Sequence, residues 1–201
     1  MSTLILRRFA VVLAIGTIIP FAKAEEKPVE KVDLKVGDPA PVVDLKDSTG
    51  QGWKSTDHYG KNWVVIYFYP GDFTPGCTAQ ANAFRDAMNK LTDQGVEVVG
   101  ISGDSVSTHE MFKKAQNLNF TLLSDEEGAI ARKFGVPVGK GATVKAKDAD
   151  GKPIEFKRAV TTSRWTFVVG RDGMIAYKNT NVAPAQDAKA ISEFIAKAKK
   201  N

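Results

Sequence analysis

The sequence predicts a three-layer α/β domain, a mixed central sheet covered by helices. Three observations carry this. An uninterrupted apolar run, Trp63 to Tyr69, reads as a strand buried on both faces, and Val96 to Ser102 reads as a second buried strand. Amphipathic helical patterns alternate with strands through the first half of the chain. Near the end, Arg171-Asp172-Gly173 separates two short apolar segments as a hairpin turn does, which adds an antiparallel part to the sheet.

The elements follow in order. Arg7 and Arg8 precede an apolar run from Phe9 to Ala22, and Ala22-Lys23-Ala24 supplies small residues for cleavage. Residues 1–24 therefore read as a signal peptide. The run falls short of the ~20 residues a membrane span needs. No cysteine stands near the cleavage point to carry a lipid, and the residues around the arginine pair fit twin-arginine export poorly. The mature protein is expected in an exported compartment, a bacterial periplasm, with no stable membrane association. Residues 25–35 are charged and lack apolar periodicity, so they read as a mobile tail before a domain over residues 36–201.

Val42 to Leu45 and the region around Trp53 read as short strands joined through Ser48-Thr49-Gly50. After the Trp63 strand, a helical pattern runs to about Asp93 and closes at Gly95. Beyond the second long strand, Val106 to Gln116 reads as a helix, Thr121 to Leu123 as a strand, and Glu126 to Phe134 as a helix ending at Gly135. Thr143–Lys147 and Ile154–Arg158 pair as a hairpin around Asp150-Gly151. Trp165 to Val169 and Met174 to Lys178 form the late hairpin. A final helix spans about Ala185 to Lys199, with Ile191, Phe194, Ile195 and Ala198 on one face.

A chain of 201 residues, 43% hydrophobic and 25% charged, fits one ordinary globular domain. Removing residues 1–24 takes away three basic residues and no acid, which lowers the formal charge from +5 to +2. So small and scattered a charge argues against nucleic acid as a partner. One cysteine excludes an intrachain disulfide, a C-x-x-C pair and any multi-cysteine metal site, and two histidines exclude a His-rich one. No cofactor is implied. An odd cysteine in an exported chain reads as a reactive thiol or an inert core residue.

Its position favours reactivity. Thr74 reads as an N-cap and Pro75 as the first helical residue, so Cys77 falls in the first turn. Cys77, Ala81, Phe84, Met88 and Leu91 share one helix face, which packs on the sheet. The sulfur thus lies at the carboxyl end of a buried strand, among unpaired N–H groups. Lowering a thiol pKa from ~8.5 to ~6 takes about 3.4 kcal/mol. A helix terminus supplies ~0.3–1 kcal/mol, and ~2 at best. A second positive group is therefore needed near Cys77, and spacing alone does not choose among the arginines.

The stretch Tyr69-Pro70-Gly71-Asp72-Phe73-Thr74-Pro75-Gly76-Cys77-Thr78, followed by Phe84-Arg85-Asp86, resembles the peroxiredoxin pattern P-x-x-x-T-x-x-C, in particular the bacterioferritin-comigratory branch. Further likeness lies in Val36 to Pro41, Val99 to Asp104, Leu122 to Asp125 and Arg164-Trp165-Thr166-Phe167, in the same order. Residues 136–160 match less well. The resemblance implies a thioredoxin-like fold and reduction of hydroperoxides by the cysteine thiolate. It nominates Arg164 as the missing cation, with Thr74 and the Gly76 and Cys77 amides as peroxide-binding groups. Pro70 would wall the pocket, besides ending the strand. Arg85 reads as structural, paired with Asp86 or another carboxylate.

Two departures from that branch stand out. The place of a resolving cysteine, five positions after the first, holds Asn82, so an outside thiol such as glutathione or a thioredoxin-fold donor must regenerate the sulfur. Three positions after the cysteine, where the branch commonly has Glu, stands Gln80. The acidic partner expected to orient an arginine is therefore weakened.

His58 and His109 read as surface residues, and Gly139-Lys140-Gly141 lacks phosphate-loop spacing. Competing functions are a different thiol enzyme, opposed by the missing C-x-x-C and by Thr78 after the cysteine, and a binding or chaperone module with a dormant thiol. Peroxide preference and oligomeric state are not legible.

Overall fold

The run after Asn62 sits at the centre of the fold because it buries both faces. Val64, Ile66 and Phe68 point into one core layer and Val65, Tyr67 and Tyr69 into the other, the two-residue period of an extended chain. The structure, a computed structural model, describes residues 32–200. The expected signal peptide and residues 25–31 of the expected tail lie outside the described residues.

Strands β1 (Asp44–Asp47), β2 (Gly52–Lys54) and β3 (Trp63–Phe68) precede helix α1 (Pro75–Asp93). Then come β4 (Val96–Ser102), α2 (Val106–Gln116), β5 (Thr121–Ser124) and α3 (Ala129–Lys133). Four strands follow, β6 (Val138–Lys140), β7 (Thr143–Lys147), β8 (Pro153–Lys157) and β9 (Val160–Thr162). The chain closes with β10 (Trp165–Val169), β11 (Ile175–Asn179) and α4 (Asp187–Ala198).

The main sheet has seven strands in the order β11-β10-β3-β4-β5-β1-β2. β3, β4 and β5 are parallel, while β10 and β11 on one side and β1 and β2 on the other are antiparallel. The expected mixed sheet between helical layers is what forms. One core layer packs Phe84 and Leu91 of α1, Phe112 of α2, and Ile191 and Ile195 of α4 against β3 and β4. The other packs Ile130, Ala131 and Phe134 against Ile66, Phe68 and Phe167. Beside the sheet stand two small ribbons, β6 with β9 and β7 with β8.

Several local expectations need correction. The first strand begins at Asp44 rather than Val42, because Val43 is tied by its N–H to Ser55 Oγ and fully buried. The helix expected from Glu126 shrinks to Ala129–Lys133. Gly128 takes the left-handed conformation at φ 68°, and the Asp125 carboxylate accepts the N–H groups of Ile130 and Ala131. The β6–β9 pairing went unread. The last part of the expected mobile tail is fastened, since Lys178 Nζ donates to Asp33 Oδ1 and the Leu34 carbonyl.

Candidate active site

β3 ends at Phe68, and Tyr69 extends it by donating its N–H to Ile101 O. The chain then turns through residues 70–74 into α1. Gly71 has φ 148°, and a Cβ there would run into the Arg158 guanidinium, so only glycine fits this turn. Thr74 is extended at the N-cap position, with φ −87° and ψ 145°, but its side chain makes no cap. Its hydroxyl donates instead to Gly71 O at 3.1 Å, which corrects the expected capping role. Pro75 is the first helical residue, as expected. Gly76 and Cys77 come next, at positions whose N–H groups have no acceptor within a helix.

Cys77 is 1% exposed. Arg164 Nη2 donates to its Sγ at 3.1 Å, so the expected guanidinium stands on the sulfur. The sheet delivers it. β10 runs antiparallel to β3 with Trp165 opposite Phe68, so Arg164 emerges where β3 ends. Gly76 keeps the approach open, since a Cβ there would sit 3.3 Å from Arg164 Nη2. The contact is a charge-assisted hydrogen bond from guanidinium to sulfur. Pro70 is half-buried between Tyr69, whose carbonyl accepts from Thr162 Oγ1 at 2.9 Å, and the glycine turn. Arg85 is structural, donating to Asp86, Asn82 and the Gln116 carbonyl.

The other Arg164 nitrogen, Nη1, donates to Gln80 Oε1 at 2.5 Å. Gln80 Nε2 donates in turn to Asp187 Oδ2 at 2.7 Å, and the same oxygen accepts from Thr166 Oγ1 at 2.7 Å. Thus the residue expected to weaken the arginine's support links it to a buried carboxylate 107 positions away in sequence. Burial raises Asp187 above the ordinary aspartate range, although the bonds from Thr166 and Gln80 and the nearby Arg164 charge oppose this. Sequence reading missed Asp187, because an acid in the first turn of a helix ordinarily faces water.

A second buried network holds the turn before α1. Asp104 Oδ2 accepts from the Asp72 N–H at 2.8 Å and from Ser102 Oγ at 2.7 Å, while Asp104 Oδ1 pairs with Arg158 Nε at 2.8 Å. Arg158 Nη2 also donates to Asp72 O at 2.9 Å. The Asp72 carboxylate accepts from Tyr69 Oη at 2.8 Å and from His109 Nδ1 at 2.7 Å. His109 Nε2 faces Leu123 O at 3.1 Å, so both ring nitrogens stand against oxygen atoms.

His109 is therefore fully buried, which overturns its reading as a surface residue. His58 is half-buried, stacked on Trp53 and bonded to Glu97 Oε2 at 2.8 Å. Arg158 carried a legible signal. Alternation in β8 puts it on the inward face with Ile154 and Phe156. Phe156 meets Phe73 with ring centroids 5.7 Å apart, so the 143–157 hairpin touches the turn that leads to Cys77.

Comparison with known proteins agrees with this geometry. The AhpC/TSA family pattern matches residues 36–178. A Coxiella burnetii protein assigned as peroxiredoxin bcp is 40% identical over 145 residues, 72% of this chain and 87% of that one. Chloroplast peroxiredoxin Q of Oryza sativa subsp. japonica is 39% identical over 72% of this chain, which spans 58% of the plant protein. The crystal structure of the Xanthomonas campestris bacterioferritin comigratory protein, described for alkyl peroxide reduction, superposes with a TM-score of 0.65 at 30% identity. It covers 84% of this chain and 98% of its own. Matches of this extent, along nearly the whole of the bacterial relatives, place the chain in the AhpC/TSA family, alongside the bcp and peroxiredoxin Q proteins.

Proposed function

We propose that the protein is a thiol-dependent peroxidase that reduces hydrogen peroxide and organic hydroperoxides through Cys77 and is regenerated by an external thiol. The observation that carries this reading is the Arg164 Nη2 contact with Cys77 Sγ at 3.1 Å. An inert core cysteine has no use for a guanidinium, and a dormant-site binding module would not keep one aimed at its sulfur. The alkyl peroxide chemistry described for the Xanthomonas protein supports the substrate class.

The thiolate attacks the hydroxyl oxygen of R–O–O–H in line with the O–O bond. Sulfur supplies the electron pair, an S–O bond forms, the O–O bond breaks, and RO⁻ leaves to take a proton. The sulfur becomes sulfenic acid, Cys–S–OH. Thiolate formation gains at most ~30-fold over a free thiol, about 2 kcal/mol. Further acceleration needs donors aimed at the lengthening O–O bond. Arg164 spans sulfur and peroxide, and the Gly76 and Cys77 amides add donors. The Thr74 hydroxyl donates to Gly71 O and so offers its lone pairs to the peroxide hydroxyl. Pro70, without an N–H, walls the pocket against water.

Cys77 is the sole cysteine of the chain, so the sulfenic acid cannot close an internal disulfide. A first external thiol condenses with it, releasing water and leaving a mixed disulfide. A second thiol frees Cys77 as the two external sulfurs pair. Glutathione or a thioredoxin-fold donor fits this requirement. The signal-peptide pattern of residues 1–24 supports work in the periplasm.

Purified protein given a thiol donor should consume hydroperoxide, and Cys77→Ser should abolish turnover. Undiminished consumption by that variant would refute the assignment.

A further inference from the structure

We propose that Asp187 is a positioning residue for this site: its buried carboxylate fixes the direction of the Gln80 amide and, through that amide, holds the Arg164 guanidinium on Cys77 Sγ. The inference rests on the peroxidase reading for its purpose and on three hydrogen bonds for its content.

A glutamine amide has two ends of nearly equal shape and opposite chemistry. Only with Oε1 toward Arg164 does Gln80 accept the Nη1 bond; turned over, it would present N–H donors to a cation. Gln80 cannot choose by itself. Asp187 makes the choice, because an ionised carboxylate only accepts, and it takes Nε2 at 2.7 Å. Thr166 Oγ1 pins the same carboxylate oxygen at 2.7 Å. With Nε2 held, Oε1 must face Arg164 Nη1, and the guanidinium is left with Nη2 directed at the sulfur.

The placement of Asp187 is costly for a residue that served only packing. It is 2% exposed, and its Oδ1 is buried without a hydrogen-bond partner among the described residues. A half-satisfied buried carboxylate is disfavoured, so its retention fits a task that needs both its charge and its direction. The approach to Asp187 also borders the site, since Pro184 Cγ would lie 3.8 Å from a Cβ at Gly76. A glutamate at position 80 would need no such help, because both of its oxygens accept. In this chain the negative charge sits one residue further from the arginine and acts through the amide.

That contrast gives the test. Asp187→Ala is made in the native background and in Gln80→Glu, and two rates are read at pH 7: alkylation of Cys77 by iodoacetamide and its oxidation by hydrogen peroxide. With Gln80 in place, loss of Asp187 should slow both rates about tenfold. In the Gln80→Glu background, the same loss should slow neither rate, since it also removes a carboxylate that would face the glutamate across the 2.7 Å spanned by Gln80 Nε2. A merely structural Asp187 would cost the same in both backgrounds, so costs within threefold of each other overturn the proposal, as does no cost in the native background. If Asp187→Ala does not fold, Asp187→Ser serves, keeping a hydroxyl for Thr166 but too short to reach Gln80. Alkylation needs no peroxide. A protein inert to hydroperoxide would therefore sink the peroxidase reading, while the alkylation rates still decided the role of Asp187.

Discussion

His109 Nδ1 lies 2.7 Å from Asp72 Oδ2, with both side chains fully buried and 37 residues apart in sequence. Burial alone would pull the histidine down, but the Asp72 charge, its hydrogen bond and the Asp104 charge outweigh it, so His109 holds its proton above the ordinary histidine range. A raised pKa adds stability that is complete below the unfolded value of about 6.5 and is lost as pH rises through the folded value. Thermal melting between pH 6 and 9 should therefore show the wild type losing its margin over His109→Gln as pH rises. Parallel curves across that interval would remove His109 from the account.

The Arg158–Asp104 pair should be indispensable to the fold for a similar reason. Side-chain exposures of 3% and 0% leave no water to solvate an abandoned charge. Arg158→Met should cost about 3–5 kcal/mol in urea unfolding, the range for breaking a buried pair by removing one partner. Asp104→Asn added to Arg158→Met should recover part of that loss. Additive costs from the two substitutions would mean that the charges do not depend on each other.

How much of this was legible in the sequence follows from the range of the interactions. β3, β4 and α1 were readable because their periodicity is local and strong, and Cys77 fell in the first helical turn on the strength of Thr74 and Pro75. Arg164 came from resemblance, since its contact depends on β10 pairing with β3 across 87 residues between arginine and cysteine. Asp187, Asp72 and His109 were hidden for the same reason. Each is an ordinary polar residue whose meaning comes from a partner far along the chain. The α3 error had a local cause, a glycine at φ 68° and an aspartate side chain that cap the helix three residues late.

Arg164→Lys tests whether charge alone suffices. A lysine keeps the cation but lacks the fork that reaches Gln80 Oε1 and Cys77 Sγ together. Stopped-flow oxidation of Cys77 by hydroperoxide should slow at least tenfold in Arg164→Lys. In Arg164→Gln, which also loses the cation, the loss should be about 10²–10³-fold, the scale of a missing transition-state donor. A lysine variant as fast as the wild type would show that geometry at this position is dispensable.

Thr74→Val separates substrate recognition from thiolate stabilisation. The Thr74 hydroxyl makes no helix cap, so its loss removes no capping bond. What is lost is the bond to Gly71 O, about 1 kcal/mol, and the oxygen that receives the peroxide hydroxyl. Iodoacetamide has no such hydroxyl. Alkylation of Cys77 should therefore stay within about twofold of wild type, since the Arg164 contact is intact, while oxidation by hydrogen peroxide should fall tenfold or more. Thr74→Ser should retain both rates. Arg164 substitutions, by contrast, should depress both, because the guanidinium serves the sulfur before any substrate arrives. Equal losses of alkylation and oxidation in Thr74→Val would place the hydroxyl in support of the sulfur and remove it from peroxide binding.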